Sequence, residues 1–446
     1  MSPSARLAAA IEILDAIQAS PRKPADAVVG DYLRSRKFIG GGDRRAITER
    51  LYGVLRRRAQ LDWWLDHARH EGAPSARMRV FADGVLTEGL QVDRMEKTID
   101  VGLYRAPSLT EKERATLRRL EGHTLDHPKQ PDHVRLNLPE WIAPHFAKAF
   151  GDRFEPEVRA LDEAAPVDLR VNPLKGVRSD AQRLLREQGV DGAPTKLSPL
   201  GLRLKGRPSV VTSPAFRDGL VEVQDEGSQI VAFLVDARPG MQVVDYCAGA
   251  GGKTLAIAAG MENKGRVVAC DVAAFRLDRS GQRLRRAGVH NVERRVLDAD
   301  GRKWIKRHAG GFDRVLVDAP CTGTGTWRRN PDGRWSLTPL DLAELPPKQG
   351  EILATAAKLV KPGGRLVYAT CSLLPDENED VVAAFLAAHP EFTPLPVANL
   401  WGGTVGTPLP ADGTSGPYLR LTPARHGTDG FFVAVLERAA TKAAAA

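Results

Sequence analysis

Apolar residues recur every three or four positions through the first part of the chain, which is the spacing of one face of a helix. The pattern runs from residue 5 to about residue 125, with polar breaks such as Ser20-Pro21 and Gly40-Gly41-Gly42. We therefore predict an all-helical domain over residues 1–128. The apolar positions that set the period are Leu7, Ile11, Leu14, Ile17, Ile47, Leu51, Val54, Leu55, Leu61, Trp64 and Leu65.

Short alternating segments replace the helical period near residue 129. Residues 167–171 and 201–204 alternate as strands do, and residues 179–188, which Gly189 ends, have the pattern of a helix between them. This order predicts a small α+β module over residues 129–222.

From Val223 onward, hydrophobic strands alternate with helices, which is the order that builds a parallel sheet. A doubly wound α/β domain of Rossmann-like type is predicted over residues 223–440. The alanine-rich residues 441–446 are expected to be a disordered tail, because alanines without a packing face do not offset chain entropy. The predicted strands are 242–246, 266–271, 292–297, 312–318 and 364–370, with helices at 253–259 and 275–287.

Composition narrows the class of protein. The chain has 446 residues, 42% of them hydrophobic and 27% charged, which suits several globular domains. It lacks an unbroken run of about 18 apolar residues, and Glu12 and Asp15 interrupt the first apolar stretch, so we expect neither a signal peptide nor a membrane span. The expected location is the cytoplasm. The net charge of +9 suits a polyanionic partner, although many basic proteins have none.

The four cysteines form neither a Cys-x-x-Cys pair nor a cluster with zinc spacing, so we expect neither a disulfide framework nor a metal site. Each thiol is therefore judged singly. A lone cysteine is most often a small buried hydrophobe, and we keep that interpretation for Cys270 inside a strand. For Cys247 we favour a backbone role in a turn.

A strand runs into a glycine-rich turn and a helix at residues 243–254, where glycines allow a cofactor to approach the backbone closely. Asp271 ends the next strand, 22 residues after Gly249, where a carboxylate can accept the hydroxyls of a ribose. The turn lacks the spacing of a phosphate-binding loop and of the dinucleotide pattern Gly-x-Gly-x-x-Gly. S-adenosylmethionine, which has a ribose but no phosphate, is therefore the better fit.

Two further strands end beside reactive groups. One presents Asp318 and Cys321, and the last clear parallel strand presents Cys371. The carboxyl ends of parallel strands meet at one edge of an open sheet, so both thiols should lie near the cofactor turn. A thiolate that adds to carbon 6 of a pyrimidine activates carbon 5 toward a methyl donor, and a second polar group then assists departure of the thiol. The spacing alone leaves open which thiol attacks.

A series of motifs in the same order makes the chain from about residue 130 to residue 440 resemble the Nol/Nop/Sun family of RNA (cytosine-5) methyltransferases, in particular its bacterial ribosomal-RNA branch. One departure is visible, because Gly249-Ala250 stands where the family turn usually has Ala-Pro, which loosens the loop. The resemblance rests on Gln224-Asp225-Glu226-Gly227-Ser228-Gln229, the cofactor turn, Asp318-Ala319-Pro320-Cys321, Arg328-Arg329-Asn330-Pro331-Asp332, Thr370-Cys371-Ser372, and the closing stretch from Thr422-Pro423 to Phe431-Phe432.

The resemblance implies a role for each matching residue. Cys371 would form the covalent bond to cytosine, and Cys321 would help to release the product. A further acidic cofactor contact is expected after the third strand, where we favour Asp300 and keep Asp298 as the alternative. The implied contacts of S-adenosylmethionine are Cys247, Ala248, Gly249, Ala250, Gly251, Gly252, Lys253, Asp271 and Asp318.

Two further regions bear on RNA binding. Residues 130–222 resemble the family's RNA-recognition-like extension, and the N-terminal helices resemble the NusB fold, through residues 43–45 and 51–56. Plain helical packing is an equal alternative to RNA binding for the N-terminal domain. Basic residues form one cluster over 283–307 and a second with Arg328, Arg329, Arg334 and Trp335, whose ring would stack on a base. The target cytosine would have to be flipped out of its stack.

The resulting hypothesis is S-adenosylmethionine-dependent methylation of cytosine carbon 5 in RNA, with small-subunit ribosomal RNA favoured and transfer RNA as the alternative. Two rivals are a non-catalytic RNA-binding or assembly protein on the same fold and a DNA cytosine-5 methyltransferase. The intact pair of thiols argues against the first, and the RNA-type modules argue against the second. A monomer without a metal or membrane partner is expected.

Overall fold

The computed structural model describes residues 1–21, 23–99, 104–298 and 300–440. The chain divides into two compact units. The first contains Met1–Glu163 together with Trp327–Pro339, and the second contains Ala164–Thr326 and Leu340–Ala446. The predicted tail over residues 441–446 lies outside the described residues. No helix among the described residues is long and apolar enough to cross a membrane.

The first unit is helical, as the three-to-four-residue period predicts. Its core collects the apolar positions of the pattern, with Ile47, Leu51, Leu61 and Leu65 fully buried. Its helices are α1 (Pro3–Gln18), α2 (Ala25–Ser35), α3 (Gly41–Arg56), α4 (Arg58–His67), α5 (Ala76–Glu88), α6 (Val92–Ile99), α7 (Glu111–Arg118), α8 (Asp132–Arg135), α9 (Ala143–Phe150), α10 (Phe154–Arg159) and, later in the chain, α17 (Gly333–Ser336).

The segment Trp327–Pro339 belongs to the helical unit, although it interrupts the sequence of the α/β unit. Arg334 is fully buried, and its guanidinium donates to the carbonyl of Asn137 (2.9 Å) and to the carboxylate of Asp162 (2.5 Å). The indole of Trp335 donates to the carbonyl of Leu55 (2.8 Å). The prediction that this basic cluster contacts RNA is therefore wrong for Arg334, because its guanidinium makes internal hydrogen bonds. The same correction holds for Arg328, which is 3% exposed.

Replacing Arg334 by alanine is expected to lower the free energy of unfolding of the full chain by about 3–5 kcal/mol, because the carboxylate of Asp162 and two carbonyls lose their donor inside the unit. Urea unfolding followed by tryptophan fluorescence measures the change. The matched control is Arg118→Ala, which removes a guanidinium from an exposed pair with Asp93 and should change stability by less than about 1 kcal/mol. Equal effects of the two substitutions would contradict a structural role for Arg334.

A small antiparallel sheet opens the second unit, as predicted for the α+β module. Its strand order is β2-β3-β1-β4, and Leu169, Val171, Ala181 and Leu202 form its core. The strands at residues 192–194 and 221–223 were not predicted, because three residues are too few to show alternation. The elements are β1 (Asp168–Val171), α11 (Arg178–Glu187), β2 (Gly192–Pro194), β3 (Gly201–Leu204), α12 (Pro214–Arg217) and β4 (Val221–Val223).

The rest of the second unit is a nine-stranded sheet between helices. The strand order is β11-β12-β13-β9-β8-β5-β6-β7, and β10 pairs with β13. The elements are α13 (Glu226–Leu234), β5 (Gln242–Asp245), α14 (Gly252–Gly260), β6 (Arg266–Asp271), α15 (Ala274–Ala287), β7 (Val292–Val296), α16 (Gly301–Arg307), β8 (Phe312–Asp318), α18 (Pro339–Ala357), β9 (Val360–Thr370), α19 (Glu379–Ala388), β10 (Phe392–Pro394), α20 (Val397–Thr404), β11 (Thr414–Ser415), β12 (Tyr418–Leu421), α21 (Pro423–His426) and β13 (Phe431–Arg438).

The five predicted strands are all present and form the parallel part of this sheet. Neighbouring residues of one strand belong to different hydrophobic clusters, for example Val243 and Val244 of β5, because successive side chains point to opposite faces that helices cover. The chain order reverses at β5, which has β6 on one side and β8 on the other. Ligands bind at such a switch point in open α/β sheets.

The boundaries of the compact units differ from the predicted ones. The helical unit continues past residue 128 to Glu163, where Gln60 and Asn137 exchange hydrogen bonds (2.8 and 3.3 Å). The predicted domain boundaries at residues 128 and 222 therefore stay predictions. The Rossmann-like class predicted for the sheet is confirmed, with an antiparallel edge through β13 that the sequence analysis did not include.

Candidate active site

The cofactor turn lies between β5 and α14, at the switch point of the sheet. Gly249 and Gly251 have positive φ angles of 54° and 80°, which glycine adopts without strain. A side chain on Gly251 would meet Ser280 at 2.9 Å, whereas a Cβ on Gly249 would enter open space. The predicted glycine turn is therefore present, and its backbone is accessible on one side to a ligand.

Asp271 ends β6 and holds the turn. Its two carboxylate oxygens accept hydrogen bonds from the amides of Gly249 (2.9 Å) and Ala273 (2.8 Å). Each oxygen keeps a second lone pair, so these bonds are compatible with a further contact to ribose hydroxyls. Gly249 and Asp271, which are 22 residues apart in the sequence, are thus joined by a direct hydrogen bond between the turn and the end of β6.

Two arginines hold carbonyls of the same turn. Arg283 on α15 donates to the carbonyl of Ala250 (2.7 Å), and Arg170 on β1 of the small module donates to that of Gly252 (3.0 Å). Burial lowers the pKa of Arg170 to about 10, which still leaves it charged at neutral pH. Sequence analysis placed Arg283 in an RNA-binding cluster and gave Arg170 no role. The pattern could not show that these residues support the turn.

Lys253 lies in the first turn of α14 and forms a salt bridge with Asp318 at the end of β8 (Nζ to Oδ2 2.6 Å). Burial lowers the pKa of Lys253, but the charges of Asp318 and Cys371 raise it by more, so the net shift is upward. The lysine therefore stays protonated. This electrostatic link joins three residues that the sequence analysis singled out separately.

The two candidate nucleophiles lie side by side. The Sγ atoms of Cys321 and Cys371 are 3.5 Å apart, and both side chains are half-buried. The pKa of the Cys321 thiol lies well above its usual value because its hydrogen bond to Cys371, its burial and the negative charges of Cys371 and Glu377 all favour the protonated form. Cys321 thus keeps its proton beside Cys371.

Backbone hydrogen bonds join the loops that carry the thiols to the closing stretch. The amide of Gly325 donates to the carbonyl of Cys371 (2.9 Å), and the amide of Gly430 donates to that of Gly325 (2.8 Å). A Cβ on Gly325 would meet the carbonyl oxygens of Gly430 and Cys371 at 2.5 and 2.8 Å. Glycine is required there because three chain segments approach closely.

The other two cysteines, Cys247 and Cys270, differ from this pair in their surroundings. Cys270 is fully buried within β6, and burial raises the pKa of both its thiol and that of Cys247. Cys247 starts the turn, and the next amide, that of Ala248, donates to the carbonyl of Cys270 (2.8 Å). Neither thiol is poised to become a thiolate.

Asp298 and Asp300 both follow β7 and are exposed. The carboxylate of Asp298 accepts a hydrogen bond from the amide of Asp300 (3.0 Å), and that of Asp300 pairs with Lys303 (3.0 Å). The choice between them as a cofactor contact stays a prediction. No group of three metal-ligating side chains occurs among the residues that the structure describes.

Solved structures with the same fold place the chain in a class of enzyme. The crystal structure of PH0851 superposes with a TM-score of 0.79 at 29% identity, over 98% of this chain and 99% of that one. A methyltransferase homologue from Pyrococcus horikoshii superposes with a TM-score of 0.58 at 30% identity, over 69% of this chain and 97% of that one. These likenesses give the class of the chain, an S-adenosylmethionine-dependent methyltransferase.

Comparison of sequences gives the family. Residues 232–437 match the family model described as 16S rRNA methyltransferase RsmB/F, and residues 138–211 match the ferredoxin-like domain of RsmF/B-like methyltransferases. Ribosomal RNA small subunit methyltransferase B of Citrobacter koseri is 31% identical over 411 residues, which cover 89% of this chain and 91% of that protein. The chain belongs to the RsmB/F methyltransferase family, and the resemblance found in the sequence is confirmed.

Proposed function

We propose that the protein methylates carbon 5 of a cytosine in small-subunit ribosomal RNA through a covalent bond between Cys371 and the base. The observation that carries the proposal is the pair of thiols 3.5 Å apart, at the sheet edge that also carries the cofactor turn. The names of the relatives support ribosomal RNA as the substrate. A ribosomal RNA substrate also favours the cytoplasm as the location.

Methylation of carbon 5 needs a nucleophile and a base, and two thiols can supply both. Attack of the Cys371 thiolate on carbon 6 forms the Sγ–carbon bond and moves the electron pair of the double bond to carbon 5. S-adenosylmethionine supplies the methyl group that this carbon takes up. A base must then remove the proton on carbon 5, so that the double bond re-forms and the Cys371 thiolate leaves.

The electrostatics support a different task for each thiol. The raised pKa of the Cys321 thiol favours its protonated form, which supports Cys371 as the nucleophile. Once Cys371 is bonded to carbon 6, it no longer carries the charge that raises the pKa of Cys321. Cys321 can then lose its proton to solvent, and as a thiolate it takes the proton from carbon 5.

The residues of the turn fit S-adenosylmethionine. Gly249 leaves open space where a side chain would stand, Asp271 has free lone pairs beside it, and the Lys253–Asp318 pair adds fixed charges nearby. Residues 247–253 would line the cofactor with their backbone, while Asp271 would bind ribose. The contacts that Arg170 and Arg283 make with the turn would keep it in shape.

Replacing Asp271 by alanine is expected to weaken binding of S-adenosylmethionine at least about tenfold, because two amides of the site lose a charged acceptor together with any ribose contact. Calorimetry with S-adenosylmethionine measures the affinity. Asp278→Ala, which removes an exposed carboxylate of α15, is the matched control and should leave it unchanged. Undiminished binding to the Asp271 variant would contradict the ribose role.

The substrate is tested with RNA from a strain that lacks the gene. Bisulfite sequencing of total RNA should show one cytosine of small-subunit ribosomal RNA that loses protection in that strain. The purified protein with S-adenosylmethionine should restore the mark on unmodified small-subunit RNA. A lost mark in transfer RNA instead would move the substrate to that class, and no lost mark in any RNA would favour a non-catalytic role.

A further inference from the structure

Two consecutive buried residues, Glu377 and Asn378, lie between β9 and α19 and are 0% and 1% exposed. Neither was singled out in the sequence, and Glu377 has entered so far only as a charge that raises the pKa of Cys321. A buried carboxylate without a basic partner requires several hydrogen bonds. Among the described residues, the donors to the Glu377 carboxylate are Thr322, next to Cys321, and Gln349.

Glu377 holds both sides of Cys321. Its carboxylate accepts from the amide of Thr322 (2.8 Å) and from the hydroxyl of the same residue (2.5 Å). Gln349, which is fully buried, donates both to that carboxylate (3.0 Å) and to the carbonyl of Pro320 (2.9 Å). The residues before and after Cys321 are therefore fixed to one carboxylate, directly or through one amide.

Asn378 holds both sides of Cys371. Its side-chain oxygen accepts from the hydroxyl of Thr370 (2.5 Å), and its amide group donates to the carbonyl of Ser372 (3.0 Å). The amide of Ser372 in turn donates to the hydroxyl of Thr370 (3.2 Å). The chain on both sides of Cys371 is therefore held by hydrogen bonds to a single asparagine.

We infer that Glu377 and Asn378 are positioning residues that together set the separation of the two thiols, with Glu377 acting on release through Cys321 and Asn378 acting on capture through Cys371. The inference rests on the proposed function. Because the two residues are adjacent in the chain, one peptide bond couples the position of the loop that carries Cys321 to that of the loop that carries Cys371. Tyr368 of β9 fixes this link, since its hydroxyl donates to the carbonyl of Glu377 (2.6 Å).

Substitutions at the two positions should separate the two steps. Capture is measured with small-subunit RNA transcribed with 5-azacytidine, in which the base has nitrogen at position 5 and no proton for the release step to remove. Glu377→Ala should capture this RNA about as fast as the unsubstituted protein, but with ordinary RNA its turnover should fall roughly tenfold to a hundredfold and the adduct should accumulate. Asn378→Ala should slow capture of both RNAs by a similar factor.

Two further variants distinguish positioning from general damage. Glu377→Gln keeps a carbonyl oxygen for Thr322 and Gln349 and should restore most of the release. Glu379→Gln removes a carboxylate two residues away that accepts from Ser415 (3.0 Å) and should change neither step. Calorimetry with S-adenosylmethionine should give the same affinity for every variant, which reports an intact fold.

The outcomes keep this inference apart from the proposed function. If the unsubstituted protein forms no adduct with either RNA, the proposed function itself fails. If it forms the adduct and Glu377→Ala slows capture and release equally, the division of tasks between the two residues is wrong. If Glu377→Ala and Asn378→Ala behave like Glu379→Gln, neither residue positions a thiol.

Discussion

Cys371→Ala is expected to abolish methyl transfer and covalent capture of RNA. Without the thiolate, carbon 5 has no added electron pair with which to take up a methyl group, so the rate should fall by roughly 10⁴-fold or more, as when other covalent nucleophiles are removed. The rate is measured as transfer of labelled methyl groups to unmodified small-subunit RNA. The adduct is measured as a protein–RNA band that survives denaturing electrophoresis.

Cys270→Ala is the control for Cys371, because it removes a thiol from the same sheet but from a position that is fully buried within β6. Its activity should stay close to that of the unsubstituted protein. If Cys371→Ala still forms the adduct and Cys321→Ala does not, the two roles are reversed. That result would also require Cys321 to lose its proton before attack, which its raised pKa disfavours.

The catalytic domain was predictable from sequence where chemistry and periodicity coincide. All five parallel strands follow from their apolar runs, and the glycine turn, Asp271, Asp318 and both thiols each stand at a strand exit. Residues at strand exits share one sheet edge whatever the details of packing, which is why their proximity could be predicted without a structure.

Other residues were out of reach because their roles depend on distant partners. Arg334 stands in a basic motif next to a tryptophan, the composition of an RNA contact, but its donors are directed at Asn137, Leu161 and Asp162. Arg283 belongs to a run of charges whose spacing does not tell a solvated face from a support of the turn. Neither burial nor partners can be inferred from charge pattern alone.

The task of each thiol shows what geometry adds to spacing. In sequence, Cys321 and Cys371 are equivalent candidates at two strand exits. In the structure they differ, because the hydrogen bond to Cys371, burial and the nearby charges of Cys371 and Glu377 raise the pKa of the Cys321 thiol. This difference supports the proposed assignment of Cys321 as the base and Cys371 as the nucleophile.

Cys321→Ala is expected to leave capture intact and to slow release by roughly 10²- to 10⁴-fold, the usual contribution of a general base. The adduct should therefore accumulate with ordinary small-subunit RNA, whereas in the unsubstituted protein it should stay transient. Denaturing electrophoresis over a time course measures both. An alanine variant that turns over normally, or one that forms no adduct, would contradict the assignment of Cys321 to release.

The pH dependence of release provides a second measurement on the same residue. Bonding of Cys371 to carbon removes the hydrogen bond and the charge that raise the pKa of Cys321, so this pKa should fall. At pH values below the pKa that Cys321 has in the adduct, the thiolate fraction drops about tenfold per unit, and release in the unsubstituted protein should slow in proportion. Release in Cys321→Ala should lose this dependence, because the group that titrates is gone, and a slope that persists in the variant would assign the base to another residue.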